Sequence, residues 1–165
     1  MRRVAHPAEP LSSASLRVRA IAALARREYS RAELHQKLSS LAQSEDQLDQ
    51  VLDQLMAEGL LSDQRFAESV ARSRGARYGT SRVRFELAQK GVDPDIIEQT
   101  AETLRATEAL RLHQVWEKKF GAPPASPQDA ARQQRFLAQR GFSPEAIGQL
   151  MRRLRRGDHE ADRLN

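Results

Sequence analysis

Five arginines, Arg72, Arg74, Arg77, Arg82 and Arg84, flank the dipeptide Tyr78-Gly79. A guanidinium keeps its charge and presents a planar fork of donors that matches phosphate and carboxylate oxygens. Several such groups at one break in the chain are suited to holding phosphates or an acidic protein surface. The competing reading is a solvated rim whose arginine stems cover apolar surface. Tyr78 reads as a packing wedge rather than a base-stacking platform, because Tyr29 holds the same place in a stretch without the basic excess. A second basic run, Arg152, Arg153, Arg155 and Arg156, ends the last predicted helix, where cations also complement the helix dipole. Lys90, Arg135 and Arg140 complete the candidates for contact with a polyanion.

No catalytic constellation accompanies them. His6, His35, His113 and His159 are scattered, and the chain has no cysteine, so neither a zinc-ligand spacing nor thiolate chemistry is available. Gly75 and Gly79 lack the third glycine and the preceding strand of a phosphate-binding loop. Paired carboxylates such as Glu45-Asp46 fall on a solvated helix face. Catalytic residues, cofactor and metal are therefore all read as none.

Among 165 residues, aromatics make up only 5% and charged residues 30%, so the core is built from Leu, Ile, Val and Ala. No apolar run approaches the roughly 20 residues that span a bilayer. Arg2-Arg3 is not followed by the apolar stretch of a secretory signal. The expected location is cytoplasmic. The net charge of +5 is unevenly placed: residues 1–62 hold eight basic and eight acidic side chains, and the remaining nineteen basic and fourteen acidic ones supply the excess. Such an excess favours polyanions.

The positioning elements are helices in a repeating order. Val83 and Leu87 share one face, Gly91 follows as a helix end, and Asp93-Pro94 opens a helix with Ile96, Ile97, Ala101 and Leu104 inward. A shift of 49 places Tyr78 on Tyr29, Leu87 on Leu38 and Leu104 on Leu55; a shift of 50 places Leu87 on Leu137, Gly91 on Gly141 and Leu104 on Leu154. A fixed period of this size denotes stacked helical repeats. Ser30–Glu33, Ser44–Gln47 and Ser126–Asp129 read as capping boxes. Gly59 ends the third helix with Leu60 as its apolar closure, and that helix has an acidic outer face, Glu45, Asp46, Asp49, Asp53 and Glu58. The third repeat opens with Leu110, Val115 and Trp116 as anchors and carries a Pro-rich break at 121–127. The fold class is all-α, an elongated array of three tandem three-helix repeats: 15–62, 63–106 and 107–156, between a flexible tail over 1–14 and a C-terminal tail over 157–165.

Glu58-Gly59-Leu60-Leu61-Ser62-Asp63-Gln64-Arg65-Phe66-Ala67-Glu68, then Tyr78-Gly79 with Arg82-Val83-Arg84-Phe85-Glu86-Leu87, then Lys90-Gly91-Val92, together with Tyr29-Ser30-Arg31-Ala32-Glu33-Leu34, resemble the RecX family of RecA modulators. The resemblance covers about Leu16 to Leu154. Thr80 stands where the family often has Pro, Ala42 replaces a helix-ending Gly, and the Pro-rich insertion is long. The resemblance implies an elongated curved array of three tandem three-helix repeats, a cytoplasmic protein without catalysis that lies along the groove of the RecA–DNA filament and inhibits ATP hydrolysis and strand exchange. Repeats that contact only their neighbours predict a monomer, and the lack of a long apolar run predicts no membrane partner. The implied partners are the RecA filament and DNA, single-stranded within the filament or bare. The alternatives are a helical nucleic-acid-binding module acting without RecA, and a protein-interaction scaffold with an acidic first unit and a basic remainder.

Overall fold

Side chains spaced three and four apart give each segment one apolar stripe, and the chain meets that demand with nine helices among its described residues. The computed structural model describes residues 10–162, with side chains to residue 157. The helices are α1 (Ser13–Leu24), α2 (Arg31–Leu38), α3 (Glu45–Ala57), α4 (Asp63–Gly75), α5 (Thr80–Gln89), α6 (Pro94–Ala106), α7 (Glu108–Lys119), α8 (Pro127–Gln139) and α9 (Pro144–Asp162), with a 3₁₀ turn at Ser39–Leu41. Among the described residues there is no strand, only an isolated bridge between Leu11 and Ala42. The fold is an all-α array of three-helix repeats.

The chain forms two compact units. The first takes residues up to Ala67 together with Lys90–Asp93; the second takes Glu68–Gln89 and the residues from Pro94 on. In the first unit Leu16, Leu34, Leu48, Leu52 and Leu55 are fully buried. In the second, Leu112, Trp116, Leu137, Phe142, Leu150 and Met151 form one cluster, and Val83, Leu87 and Ala101 are also inside. Burial of a Leu side chain stabilises by roughly 1.5–3 kcal/mol, so these leucines, rather than helix propensity, hold the helices in place.

Local capping agrees with the sequence in part. Ser30 Oγ accepts from the Glu33 N–H at 3.0 Å, Ser44 Oγ from the Gln47 N–H at 3.2 Å, and Ser126 Oγ from the Asp129 N–H at 3.1 Å. The reciprocal half of each box is redirected. Glu33 instead accepts from Lys90 Nζ at 2.7 Å and Arg27 at 3.2 Å. The side chains of Gln47 and Asp129 accept from Gln43 and Ala125, one residue before the cap. Ser30 Oγ also donates to the Lys90 carbonyl at 2.6 Å, tying the 90–93 loop to α2 within the first unit.

Two anchors differ from expectation. Leu60 is 43% exposed, and it is Leu61, at 1%, that closes the end of α3. On α7, Leu110 is 62% exposed while Leu112 is buried. Gly91 and Gly141, equivalent in the repeat, both have positive φ, as does Gly59 after α3, and Ala42, their counterpart in the first repeat, has extended backbone with φ −80°. Leu11, in the stretch read as a tail, donates its N–H to the Leu41 carbonyl at 2.7 Å and accepts from Gln47 Nε2. At the other end α9 runs to Asp162. Residues 1–9 and 163–165 of the expected tails lie outside the described residues, as do His6 and the side chain of His159.

Candidate functional site

The turn between α4 and α5, which carries Tyr78, is held by backbone-directed contacts from α7. Arg111 donates to the carbonyls of Gly75 and Tyr78 at 2.7 Å each and of Leu104 at 2.9 Å. Glu108, one helical turn earlier, accepts from the Thr80 N–H at 3.0 Å and so caps α5. Burial pushes the Glu108 carboxyl up. The Thr80 N–H, the Ser143 and Thr80 hydroxyls and Arg111 outweigh that and leave it below the usual carboxylate range. Burial alone would lower Arg111, and Glu108 offsets part of that effect.

The same turn abuts the corner between α8 and α9. Gly79 donates its N–H to the Arg140 carbonyl at 2.8 Å, and Ser81 donates to the Gly141 carbonyl at 3.3 Å. A Cβ at Gly79 would sit 2.1 Å from the Gly141 oxygen, so only glycine allows this approach. The contact sets Tyr78 beside Arg140 and Phe136. The Arg140 guanidinium carbon lies 5.4 Å from the Tyr78 ring centre and 4.8 Å from that of Phe136; Arg82 lies 5.8 Å from Tyr78. These are cation–π distances.

Around them opens a cavity of about 520 Å³ lined by Arg77, Tyr78, Lys118, Lys119, Phe136 and Arg140, with Ala76, Gln114 and Val115. Four cations and two aromatic rings line it, and no carboxylate does. A neighbouring cavity of about 380 Å³, beside Thr80, includes Glu108 and Glu145 along with Arg84 and Arg105, and lacks that one-signed character. The first cavity offers positive charge, flat apolar faces and access from solvent. That suits an anionic chain with planar groups.

The candidate arginines are not all equivalent. Arg77, Arg82 and Arg140 gather around Tyr78, and none forms an ion pair with a described carboxylate. Arg74 pairs with Glu86 at 3.2 Å and Arg84 with Glu98 at 3.0 Å. Lys90 belongs to the first unit and pairs with Glu33. Arg72, Arg135, Arg152, Arg153, Arg155 and Arg156 are exposed on α4, α8 and α9. Lys118 and Lys119 are additions that sequence reasoning missed. Their signal was present as two lysines in the last turn of α7, ahead of Phe120. Among the described residues no group of three or more His, Cys, Asp or Glu is arranged to hold a metal ion, and no helix is long and apolar enough to cross a membrane.

Comparison with known proteins gives a single answer. Residues 62–100 match a family model described as RecX, second three-helix domain, and residues 108–151 match RecX, third three-helix domain. A regulatory protein RecX of Leptothrix cholodnii is 44% identical over 151 residues, covering 92% of this chain and 94% of that relative. Another, of Ralstonia nicotianae, is 43% identical over 148 residues, covering 90% and 91%. The crystal structure of RecX from Lactobacillus salivarius superimposes with a TM-score of 0.71 at 21% identity, covering 86% of this chain and 96% of that one. That likeness bears on the fold.

Proposed function

The chain belongs to the RecX family of regulatory proteins, and from that premise we propose that it is a negative regulator of RecA. It lies along the groove of the RecA–DNA filament and inhibits ATP hydrolysis and strand exchange. It acts by binding and not by catalysis, as a monomer in the cytoplasm.

The observation that supports this reading best is the carboxylate-free cavity between Tyr78 and Phe136. A filament groove offers DNA phosphates beside protein carboxylates, and Arg77, Arg140, Lys118 and Lys119 complement both. Arg82, Arg72 and Arg135, and the α9 residues Arg152, Arg153, Arg155 and Arg156, extend the positive surface as auxiliary contacts. Weak charge contacts distributed over one chain favour a filament over isolated RecA, since one molecule can engage several protomers and raise its effective affinity. Arg74 and Arg84, already paired with Glu86 and Glu98, contribute less. The test is RecA ATPase on single-stranded DNA titrated with this protein. The expected result is inhibition that saturates below one chain per RecA protomer. Unchanged hydrolysis at full occupancy would contradict it.

A further inference from the structure

By its charge count the first unit is neutral, yet its charges are not spread evenly over it. Most of its described carboxylates are answered locally. Glu58 pairs with Arg17, Asp49 and Asp53 with Arg31, Glu28 with Arg65, and Glu33 with Arg27 and Lys90, while Glu45 lies 3.1 Å from His35 Nε2. That pairing leaves Arg19, Arg26 and Lys37 exposed and without an ion pair among the described residues. All three line one cavity of about 290 Å³ between α1 and α2, with Tyr29 at its edge and Ala23, Leu38 and Leu41 in its floor. No carboxylate lines it. Tyr29 is the repeat equivalent of Tyr78. One ring face carries the Arg27 guanidinium, its carbon 3.5 Å from the ring centre, and Lys37 Nζ lies 6.0 Å away.

We propose that this α1–α2 cleft is a second binding site for single-stranded nucleic acid, with Arg19, Arg26 and Lys37 taking backbone phosphates over an apolar floor. An acidic peptide fits it less well. A helical one presents a convex surface about 11 Å across, not flat faces to lie against Ala23, Leu38 and Leu41. An extended peptide would bury backbone donors and acceptors against Ala and Leu side chains that cannot pair them. A nucleic acid strand keeps its charges at the rim and needs only flat contact inside. The site is independent of the filament reading, since its assay contains no RecA.

The experiment is binding of a short labelled oligothymidylate to the full-length chain across a salt series. Arg19→Glu with Lys37→Glu is introduced both alone and in a chain already carrying Arg77→Glu with Lys118→Glu. The Arg77→Glu/Lys118→Glu chain should still bind. Adding the α1–α2 pair should lower its affinity roughly tenfold or more near 0.1 M salt and reduce the salt slope by about 1.4, two contacts at about 0.7 each. A photoreactive thiothymidine oligomer should crosslink to α1 or α2. Should the charge reversals perturb melting, Arg19→Gln with Lys37→Gln gives the same reading with a smaller change. The proposal is overturned if the starting chain does not bind the strand. It is equally overturned if the α1–α2 changes leave affinity and slope unaltered, or if polyglutamate binds this cleft and the oligothymidylate does not.

Discussion

Glu108 is the one acidic side chain buried among the described residues, and its task is to hold the turn that carries Tyr78. Replacing it by Ala would leave the Thr80 N–H without a partner and Arg111 without its countercharge, at a cost of about 3 kcal/mol. The folded pKa is depressed, so the contribution is fully present above the ordinary Glu value near about 4.3 and fades as pH falls through the lower folded value. Thermal melts from neutral to acid pH should therefore show a steeper acid loss in the unaltered chain than in Glu108→Gln. Parallel loss in both would remove Glu108 as the cause. This residue also explains a misreading. Glu108, Leu112 and Trp116 recur at intervals of four and are all buried. An apolar scan discards a carboxylate, so it seats α7 on Leu110, which faces solvent. Trp116 lies in the core as its spacing predicts, and its Nε1 donates to the buried Gln133 at 2.8 Å, a partner that periodicity does not reveal.

At the scale of elements, helix ends were the most legible features. Gly91 follows α5 with φ +67°, and a Cβ there would come 2.6 Å from that of Ala32 within the first unit. Gly91→Val should cost more than roughly 1 kcal/mol through strain and contact together. Ala42 has φ −80° and ψ 153°, a conformation that β-branched residues accept, so Ala42→Val should be close to neutral. Equal melting shifts for the two would contradict the repeat alignment at this position. Gly79 was legible only as part of a turn. Its closeness to the Gly141 carbonyl depends on a contact between residues 62 positions apart, which no local pattern encodes. Gly79→Ala should destabilise by about 2 kcal/mol or more, since backbone on both sides must move. It should also disturb Tyr78. A shift in tyrosine fluorescence without loss of helix content is the expected outcome, and an unchanged melting curve would refute it.

Over the whole molecule, the basic excess and the family pattern were both visible in the sequence; how the charges pair was not. The Arg cluster at 72–84 divides: Arg77 and Arg82, near Tyr78, form no ion pair among the described residues, while Arg74 and Arg84 meet Glu86 and Glu98. Lys118 and Lys119 join from a distant helix. The first unit, neutral by count, is split into an acidic face on α3, whose Asp49 and Asp53 meet Arg31, and a basic cleft without an ion pair among the described residues, because pairing depends on which helix faces which. The central claim is that the Tyr78–Phe136 cavity anchors this chain to the RecA–DNA filament. Its most direct test is inhibition of RecA ATPase by Arg77→Glu with Lys118→Glu across a salt series, after confirming unchanged melting. The predicted result is weaker inhibition with a salt slope lower by about 1.4 to 1.8 units, two phosphate contacts at about 0.7–0.9 each. Full inhibition with an unaltered salt dependence would place the anchor elsewhere and contradict the claim.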